Sequence, residues 1–456
     1  MPAQQDHKQT ELCQSIGPWQ LLFYGLGSML GAGVYVLLGR VAGVLGNAVW
    51  LAFMVAMVAA LLTGLSYASV GSRYPRAGGA AYVSQRAFRR SWLGYTVGIA
   101  VLMSGLTSMA TGSLAIAENL SKQGGIHLPV KVIAILGVLI LGAVIYRGIR
   151  ESMWLNILCT IVEVSGLVFI IGVGMKYWGG VNYLEVPPQA MGSGLAGISA
   201  IVILQGAVLT FFSFIGFEDI LNVSEEVKNP RRSIPFGLIG AMLAATVIYM
   251  AVAITAVSVV PWQELSRSPA PLMEVAKTAA PWLKNIDRVF LFITIFSIGN
   301  TALLNYLMGS RLIYGMSRQG LLPAVLANVH PVRRTPYVAV GLLFLIVVCL
   351  ILVGGVKPLA EATALLLLSV FVVVNVALVI LKLRPGEPHG GFEVPYIVPV
   401  MGALVCLILI VSRVHGAIQS ADPGLRTAPM LAGGIIGIGV LMHWLLKPKA
   451  TVTEEF

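Results

Sequence analysis

The chain has 456 residues, of which 57% are hydrophobic and 11% are charged. Soluble domains average about 25% charged residues, so this composition excludes an ordinary soluble protein and indicates a polytopic membrane protein. The net charge of +11 does not indicate nucleic-acid binding, because the basic residues are spread over the connections between apolar segments. The four cysteines and six histidines show no metal-ligand spacing, so we expect no metal and no cofactor.

Twelve apolar segments are long enough to cross a bilayer as helices. The first dozen residues are polar and the first apolar segment has the length of a full span, so a cleavable signal peptide is not expected. The predicted spans are 17–44, 47–71, 93–119, 129–146, 153–176, 195–223, 234–259, 287–315, 336–355, 360–382, 395–413 and 429–446.

The positive charges predict the orientation. With a cytoplasmic N-terminus, 19 of the 30 lysines and arginines lie on the inner side, as the positive-inside rule requires. We therefore expect a multi-pass protein of the plasma (inner) membrane with both termini in the cytoplasm. Residues 1–16 and 447–456 are the predicted cytoplasmic tails, 17–382 a core of ten helices, and 383–446 two further helices.

The first span contains four glycines within residues 25–33. Each glycine inside a helix costs about 1 kcal/mol relative to alanine, so we predict two half-helices joined by extended backbone. The N-terminus of the second half-helix then favours an anion and the end of the first favours a cation, as in an amino acid zwitterion. Close helix packing is the alternative, because Gly27 and Gly31, and Gly39 and Gly43, have small-xxx-small spacing.

The sixth span is interrupted in a similar way. Ser213 and Gly216 lie near its middle, and Glu218 and Asp219 follow directly. An acid at the centre of a bilayer costs at least about 2.5–3.5 kcal/mol, so such residues face a cavity or a partner. The alternative is that both acids only cap a broken helix or pair with a neighbour.

The first and sixth spans occupy corresponding places if spans 1–5 and 6–10 form two halves. Paired interruptions of this kind are typical of inverted-repeat transporters that bind substrate at the membrane midplane. The pairing favours binding over packing as the role of the breaks.

Four segments resemble the amino acid–polyamine–organocation superfamily. Residues 27–34 (GSMLGAGV) resemble its first-helix break, and 213–218 (SFIGFE), followed by EEVKNPRRSIP at 225–235, is similar to its most specific signature. The segments PRAGGAAY at 75–82 and YGMSRQGLLP at 314–323 match two further parts of the family. The resemblance extends over nearly the whole chain.

The resemblance implies an all-α, leucine-transporter-type fold of twelve helices. Its core is a 5+5 inverted repeat, here about 17–176 and 195–382, with broken helices 1 and 6 and alternating access. In the family, amides of the first break hold the substrate carboxylate, and carbonyls of both breaks hold the amino group. The amides correspond to Gly31, Ala32 and Gly33, and the carbonyls to Met29, Phe212 and Ile215.

An aromatic lid over the substrate corresponds to Phe212. The complete predicted substrate site consists of Ser28, Met29, Gly31, Ala32, Gly33, Met103, Phe212, Phe214, Ile215 and Glu218.

Two departures from the family pattern concern specificity and coupling. Members that prefer basic amino acids can carry an acid in the third span where this chain has Met103-Ser104-Gly105, so a neutral L-amino acid is expected. Sodium-independent members often place a lysine in the fifth span where this chain has Glu163. Burial raises the proton affinity of a carboxyl group, so Glu163 is the predicted proton-coupling residue. The alternative is a permanently protonated or paired acid that only braces the helices.

Ser104, Ser297 and Asn300 are second-tier candidates for the site, because isolated polar residues in spans more often bond to a neighbouring helix. Arg231, Arg232, Arg333 and Arg334 are expected to contact membrane lipid phosphates or partners at the inner gate. The sequence does not determine the oligomeric state.

Several alternatives stay open. Glu218 could bind the basic side chain of a substrate, so a carrier or antiporter of cationic amino acids or polyamines with the same fold is an alternative. Glu163 could hold sodium with backbone carbonyls.

Other classes of membrane protein are further alternatives. A channel would need repeated pore loops or rings of like charge. A membrane enzyme would need a catalytic motif such as H-E-x-x-H or G-x-S-x-G, and the chain has none, so an enzyme is not expected. A receptor or purely structural membrane protein is the remaining alternative.

Overall fold

A computed structural model describes residues 12–123, 128–194, 197–268, 270–353, 356–419 and 423–446. In these ranges the apolar segments are helical, as they must be where no water is available to bond the backbone. The helices are α1 (Pro18–Met29), α2 (Ala32–Leu45), α3 (Val49–Arg73), α4 (Gly79–Phe88), α5 (Ser91–Gln123), α6 (Val130–Arg147), α7 (Ile149–Gly174), α8 (Ala200–Phe211), α9 (Pro230–Val259), α10 (Trp262–Arg267), α11 (Pro271–Ala279), α12 (Ile286–Arg318), α13 (Tyr337–Val353), α14 (Val356–Leu383), α15 (Ile397–Gln419) and α16 (Pro423–Leu446).

Within the described ranges, eight helical segments are long and apolar enough to cross a membrane. The remaining predicted spans are the broken first span, formed by α1 and α2, and the spans that contain the shorter helices α8, α13 and α16. Observed and predicted bounds agree within a few residues for most spans; for example, the span predicted at 287–315 is α12. The all-α, twelve-span fold with broken helices 1 and 6 is confirmed.

The two broken spans lie inside the helix bundle. The first half-helix, α1, packs against α7 and α9, and α12 packs against both α5 and α7. At one end of the bundle, α10 covers α2, with Gly39 against the carbonyl oxygen of Leu265. At the other end, α4 packs against α5 and α14. The interruptions are therefore enclosed by helices and by covering segments at both ends.

Candidate functional site

The first interruption is short. Helix α1 ends at Met29, Leu30 and Gly31 leave the helical conformation, and α2 begins at Ala32 with Gly31 as its N-cap. No side chain caps this end, and the first amides of a helix have no partner within it. The backbone therefore presents N–H groups and the positive end of a helix dipole at this point, an arrangement that suits an anion.

The other glycines of the first span serve packing. Gly27 lies inside α1 against Thr160 and Asn300, and there is no space for a Cβ atom at this position. Gly39 and Gly43 lie against α10. The two interpretations of the glycine-rich stretch thus apply to different residues: Gly31 forms the break, and its neighbours allow close contact.

The second interruption begins after α8. Residues 212–214 form a single 3-10 turn, and a longer 3-10 helix, Phe217–Glu226, follows Gly216. Gly216 has φ +124°, a conformation that side chains rarely adopt, and a Cβ atom there would lie 2.6 Å from the Ser28 carbonyl oxygen. The two breaks are therefore in direct contact, and Gly33 likewise lies against Ser213.

Tyr249 on α9 bridges the two breaks. Its hydroxyl lies 2.6 Å from the Met29 carbonyl oxygen and 2.8 Å from the Ser213 carbonyl oxygen, so it can donate to either. Nothing in the sequence marks Tyr249 as part of the site, because a tyrosine in an apolar span carries no signal of its own. The Met29 carbonyl, predicted to hold the substrate amino group, thus already has a protein partner in this structure.

The two acids of the sixth span contact the breaks. The carboxylate of Glu218 accepts a hydrogen bond from the Gly216 amide at 2.8 Å, and that of Asp219 accepts one from the Ser28 hydroxyl at 2.8 Å. Both acids are buried. Glu218 thus caps its own interrupted helix, and Asp219 ties the second interruption to the first.

Glu163 lies on α7, behind the first break, and is fully buried. Its Oε1 atom accepts a hydrogen bond from the Ser297 hydroxyl at 2.5 Å, and Oε2 has no hydrogen-bond partner among the described residues. Beside it, the Asn300 amide donates to the Thr160 hydroxyl at 3.1 Å and lies 3.5 Å from the Gly27 carbonyl oxygen. Polar side chains between α7 and α12 therefore contact α1 at Gly27, one turn before the break at Gly31.

The remaining predicted side chains differ in position. Met103 is half-buried on α5 beside the buried Ser104. Phe214 is fully buried, with its ring 5.4 Å from that of Tyr249, so in this structure it packs in the core. Ile215 is half-buried between the turn and Gly216.

The side chains of Ala32 and Phe212 lie outside the described part of the chain, so the lid role of Phe212 stays a prediction. Among the described residues, no three or more His, Cys, Asp or Glu come together in a group that could hold a metal ion. The site therefore contains backbone N–H donors and C=O acceptors, buried hydroxyl groups and three buried carboxyl groups.

Comparisons with known proteins agree with this arrangement. A family model described as "Amino acid permease" matches residues 16–441. The chain is 28% identical over 430 residues to a branched-chain amino acid permease of Bacillus subtilis, covering 89% of each chain. It is 27% identical over 473 residues to a methylthioribose transporter of the same organism, covering 98% of this chain and 96% of the relative.

Other relatives are eukaryotic. The chain is 31% identical over 401 residues to the vacuolar cationic amino acid transporter 4 of Arabidopsis thaliana, covering 83% of this chain and 64% of the relative. The relatives thus share a transport role but differ in the substrates that their names give.

Proposed function

Because the chain belongs to the amino acid permease family, we propose that it is a secondary active transporter that carries neutral L-amino acids by alternating access, with proton coupling through Glu163. The observation that carries this proposal is the contact between two interrupted helices, where the uncapped N-terminus of α2 faces the second break. The carboxylate of the substrate binds the amides of Gly31, Ala32 and Gly33, and the amino group of the substrate binds carbonyls of the breaks.

The charges around the site favour a neutral substrate. The Met103-Ser104-Gly105 segment of the third span carries no acid, and the Glu218 carboxylate is already engaged by the Gly216 amide. The similarity to a branched-chain amino acid permease supports this choice. A cationic substrate is the second candidate, favoured by the adjacent buried acids Glu218 and Asp219 and by the similarity to cationic amino acid transporters.

Proton coupling through Glu163 is supported by its burial and by its hydrogen bond with Ser297, the one partner of its carboxyl group among the described residues. A carboxyl group in an apolar environment binds a proton more tightly than in water, and it releases the proton when water reaches it. Ser297 on α12 donates to Glu163, and Asn300 on the same helix bonds to Thr160 and to the Gly27 carbonyl of α1, one turn before the break at Gly31. Opening of the bundle at this break would therefore change the solvent access of Glu163.

Uptake by proteoliposomes tests the proposal. A panel of amino acids is presented with an imposed proton gradient, with an imposed sodium gradient and without either. We expect saturable uptake of neutral L-amino acids that the proton gradient accelerates. In Glu163→Gln this acceleration should be lost, whereas Glu151→Gln, an exposed acid at the start of the same helix, should retain it.

Two results would contradict the assignment of coupling. Stimulation by sodium alone would point to a bound cation, and an unchanged proton response in Glu163→Gln would exclude this residue as the coupling site. Uptake restricted to arginine or lysine would favour the second candidate substrate.

A further inference from the structure

The membrane-facing surfaces of α6 and α7 end on arginines at the same corner of the bundle. On α6, exposed residues recur every three or four positions and form a stripe along one face of the helix, which consists of Val132, Leu136, Ile140 and Ala143. The next position of this stripe is Arg147, which is also exposed. An apolar stripe of this kind faces lipid, so Arg147 lies on the lipid side of the bundle.

Helix α7 has a similar exposed apolar stripe, with an arginine near the N-terminal end of the helix. Its exposed stripe includes Trp154, Leu158, Ile161 and Val168, and the position one turn before Trp154 is Arg150, which is also exposed. Trp154 is 60% exposed. Indole rings favour the membrane–water boundary, so Arg150, about 6 Å further along the helix axis, lies at the level of the lipid headgroups.

A third arginine reaches this corner from the connection between α12 and α13. The guanidinium carbon of Arg333 lies 4.2 Å from the centre of the ring of Tyr146, the residue that precedes Arg147 in the chain. The loop is fixed there, because the Thr335 hydroxyl donates to the Tyr146 carbonyl oxygen at 3.3 Å and the His330 ring packs on Tyr146 at 5.9 Å. The position of Arg333 is thus part of the fold.

The corner combines positive charge with exposed apolar side chains. Arg334 is a further exposed arginine of the same loop, and Glu151 is an exposed acid beside Gly148. Val332, next to Arg333, is 84% exposed. Arg231, for which the same lipid or inner-gate contacts were expected as for Arg333, lies against Gly391. The two arginines are therefore in different parts of the structure.

We propose that Arg147, Arg150 and Arg333 form a binding site for the phosphate of an anionic phospholipid headgroup. Guanidinium groups bind phosphate oxygens with paired hydrogen bonds, and the Tyr146 ring orients one of them. The occupant is a lipid, because two of the three arginines end stripes that face the membrane, while Trp154 and Val332 provide contact for acyl chains. This inference does not depend on the transported substrate.

Native mass spectrometry of the purified full chain in detergent tests the site. The protein is titrated with phosphatidylglycerol and, in parallel, with phosphatidylcholine of the same acyl chains. We expect tighter binding of phosphatidylglycerol, and a weakening of roughly fivefold for each arginine removed in the triple variant Arg147→Gln/Arg150→Gln/Arg333→Gln. The matched control Arg89→Gln/Arg90→Gln/Arg232→Gln removes the same charge from other exposed positions and should keep the binding.

The proposal is overturned if the control loses as much affinity as the triple variant, since the effect would then be one of net charge. It is equally overturned if both lipids bind alike, or if inorganic phosphate displaces phosphatidylglycerol, which would indicate a site for free anions. The test measures lipid binding and not transport, so a negative result would overturn the lipid site and leave the transport proposal intact.

Discussion

At the residue scale, single groups connect the two interrupted helices. The Tyr249 hydroxyl lies between the carbonyls of Met29 and Ser213, and the Ser28 hydroxyl bonds to Asp219. Each of these contacts joins one break to another part of the bundle. A substrate that enters must therefore bind beside, or compete with, bonds that already hold the breaks together.

Tyr249→Phe tests this arrangement. Loss of the hydroxyl leaves buried carbonyl oxygens without their donor, at a cost of about 1–3 kcal/mol. We expect the KM for uptake to rise about tenfold, which corresponds to about 1.4 kcal/mol. Tyr306→Phe is the matched control, because the Tyr306 hydroxyl donates to the Val340 carbonyl at 2.9 Å, away from the breaks.

Initial rates of uptake at varied substrate concentration provide the measurement. The control should lose stability but keep its KM. An equal change of KM in both variants would show that Tyr249 acts only through general stability of the fold.

At the element scale, the connection between α14 and α15 is held against the end of α3. The Glu393 carboxylate accepts hydrogen bonds from Arg73 on α3 (2.7 and 2.5 Å), from Lys382 (3.0 Å) and from the Gly390 amide (2.9 Å). Burial raises the pKa of Glu393, but the bonds from Arg73, Gly390 and Lys382 outweigh it and lower the pKa to about 2.

This pKa predicts how the contribution of Glu393 depends on pH. Because the folded-state value lies below the ordinary value of 4.5, the stabilisation is complete above about pH 5 and is lost as the pH falls towards 2. Glu393→Gln should therefore destabilise the protein by about 1 kcal/mol at neutral pH. Thermal unfolding at several pH values should show the difference from the parent shrinking below pH 5.

The exposed Glu264 on α10 provides a control, since Glu264→Gln should leave the melting temperature unchanged at every pH. A difference between Glu393→Gln and the parent that persisted undiminished near pH 2 would contradict the ionic explanation.

Helix positions were predictable because burial in lipid forces continuous apolar segments into helices. The positions of the breaks were predictable because Gly31 and Gly216 stand inside such segments. The extent of the first break was not, because Gly27 looks the same in sequence whether it interrupts a helix or packs against Thr160. Only the neighbouring helix distinguishes the two roles.

Long-range partners were the part of the site that the sequence could not supply. Glu163 stood out as an acid in an apolar span, but its partner Ser297 lies 134 residues away. The same holds for the fully buried ion pair between Arg311 and Glu226, which are joined at 2.9 Å although 85 residues separate them in the chain.

At the scale of the whole molecule, both ends of the site are covered. The amides of Ser15 and Ile16 both donate to the Glu226 carbonyl oxygen at 2.9 Å, so the segment before α1 is held against the second broken span. Beneath it lies the ion pair of Glu226 with Arg311. At the other end α10 packs against α2, so segments of the chain contact the two broken spans at both ends of the bundle.

Cys13 provides a test of the predicted orientation. It is exposed next to the segment held by Glu226, whereas Cys159 and Cys406 are buried and Cys349 lies on a lipid-facing part of α13. A membrane-impermeant maleimide should label Cys13 in inside-out vesicles and leave it unlabelled in right-side-out vesicles. Labelling from the outer side would reverse the assignment of a cytoplasmic N-terminus, and Cys13→Ser controls for reaction at the other cysteines.

The central claim is that the exposed backbone of the two breaks binds both charged groups of an amino acid. The most direct test is competition for uptake in proteoliposomes between the best neutral L-amino acid of the panel, its methyl ester and its decarboxylated amine. The ester and the amine keep the side chain and the amino group but lack the carboxylate that the N-terminus of α2 is proposed to bind. We predict that only the free amino acid competes, and competition by the ester or the amine at similar concentrations would contradict the account.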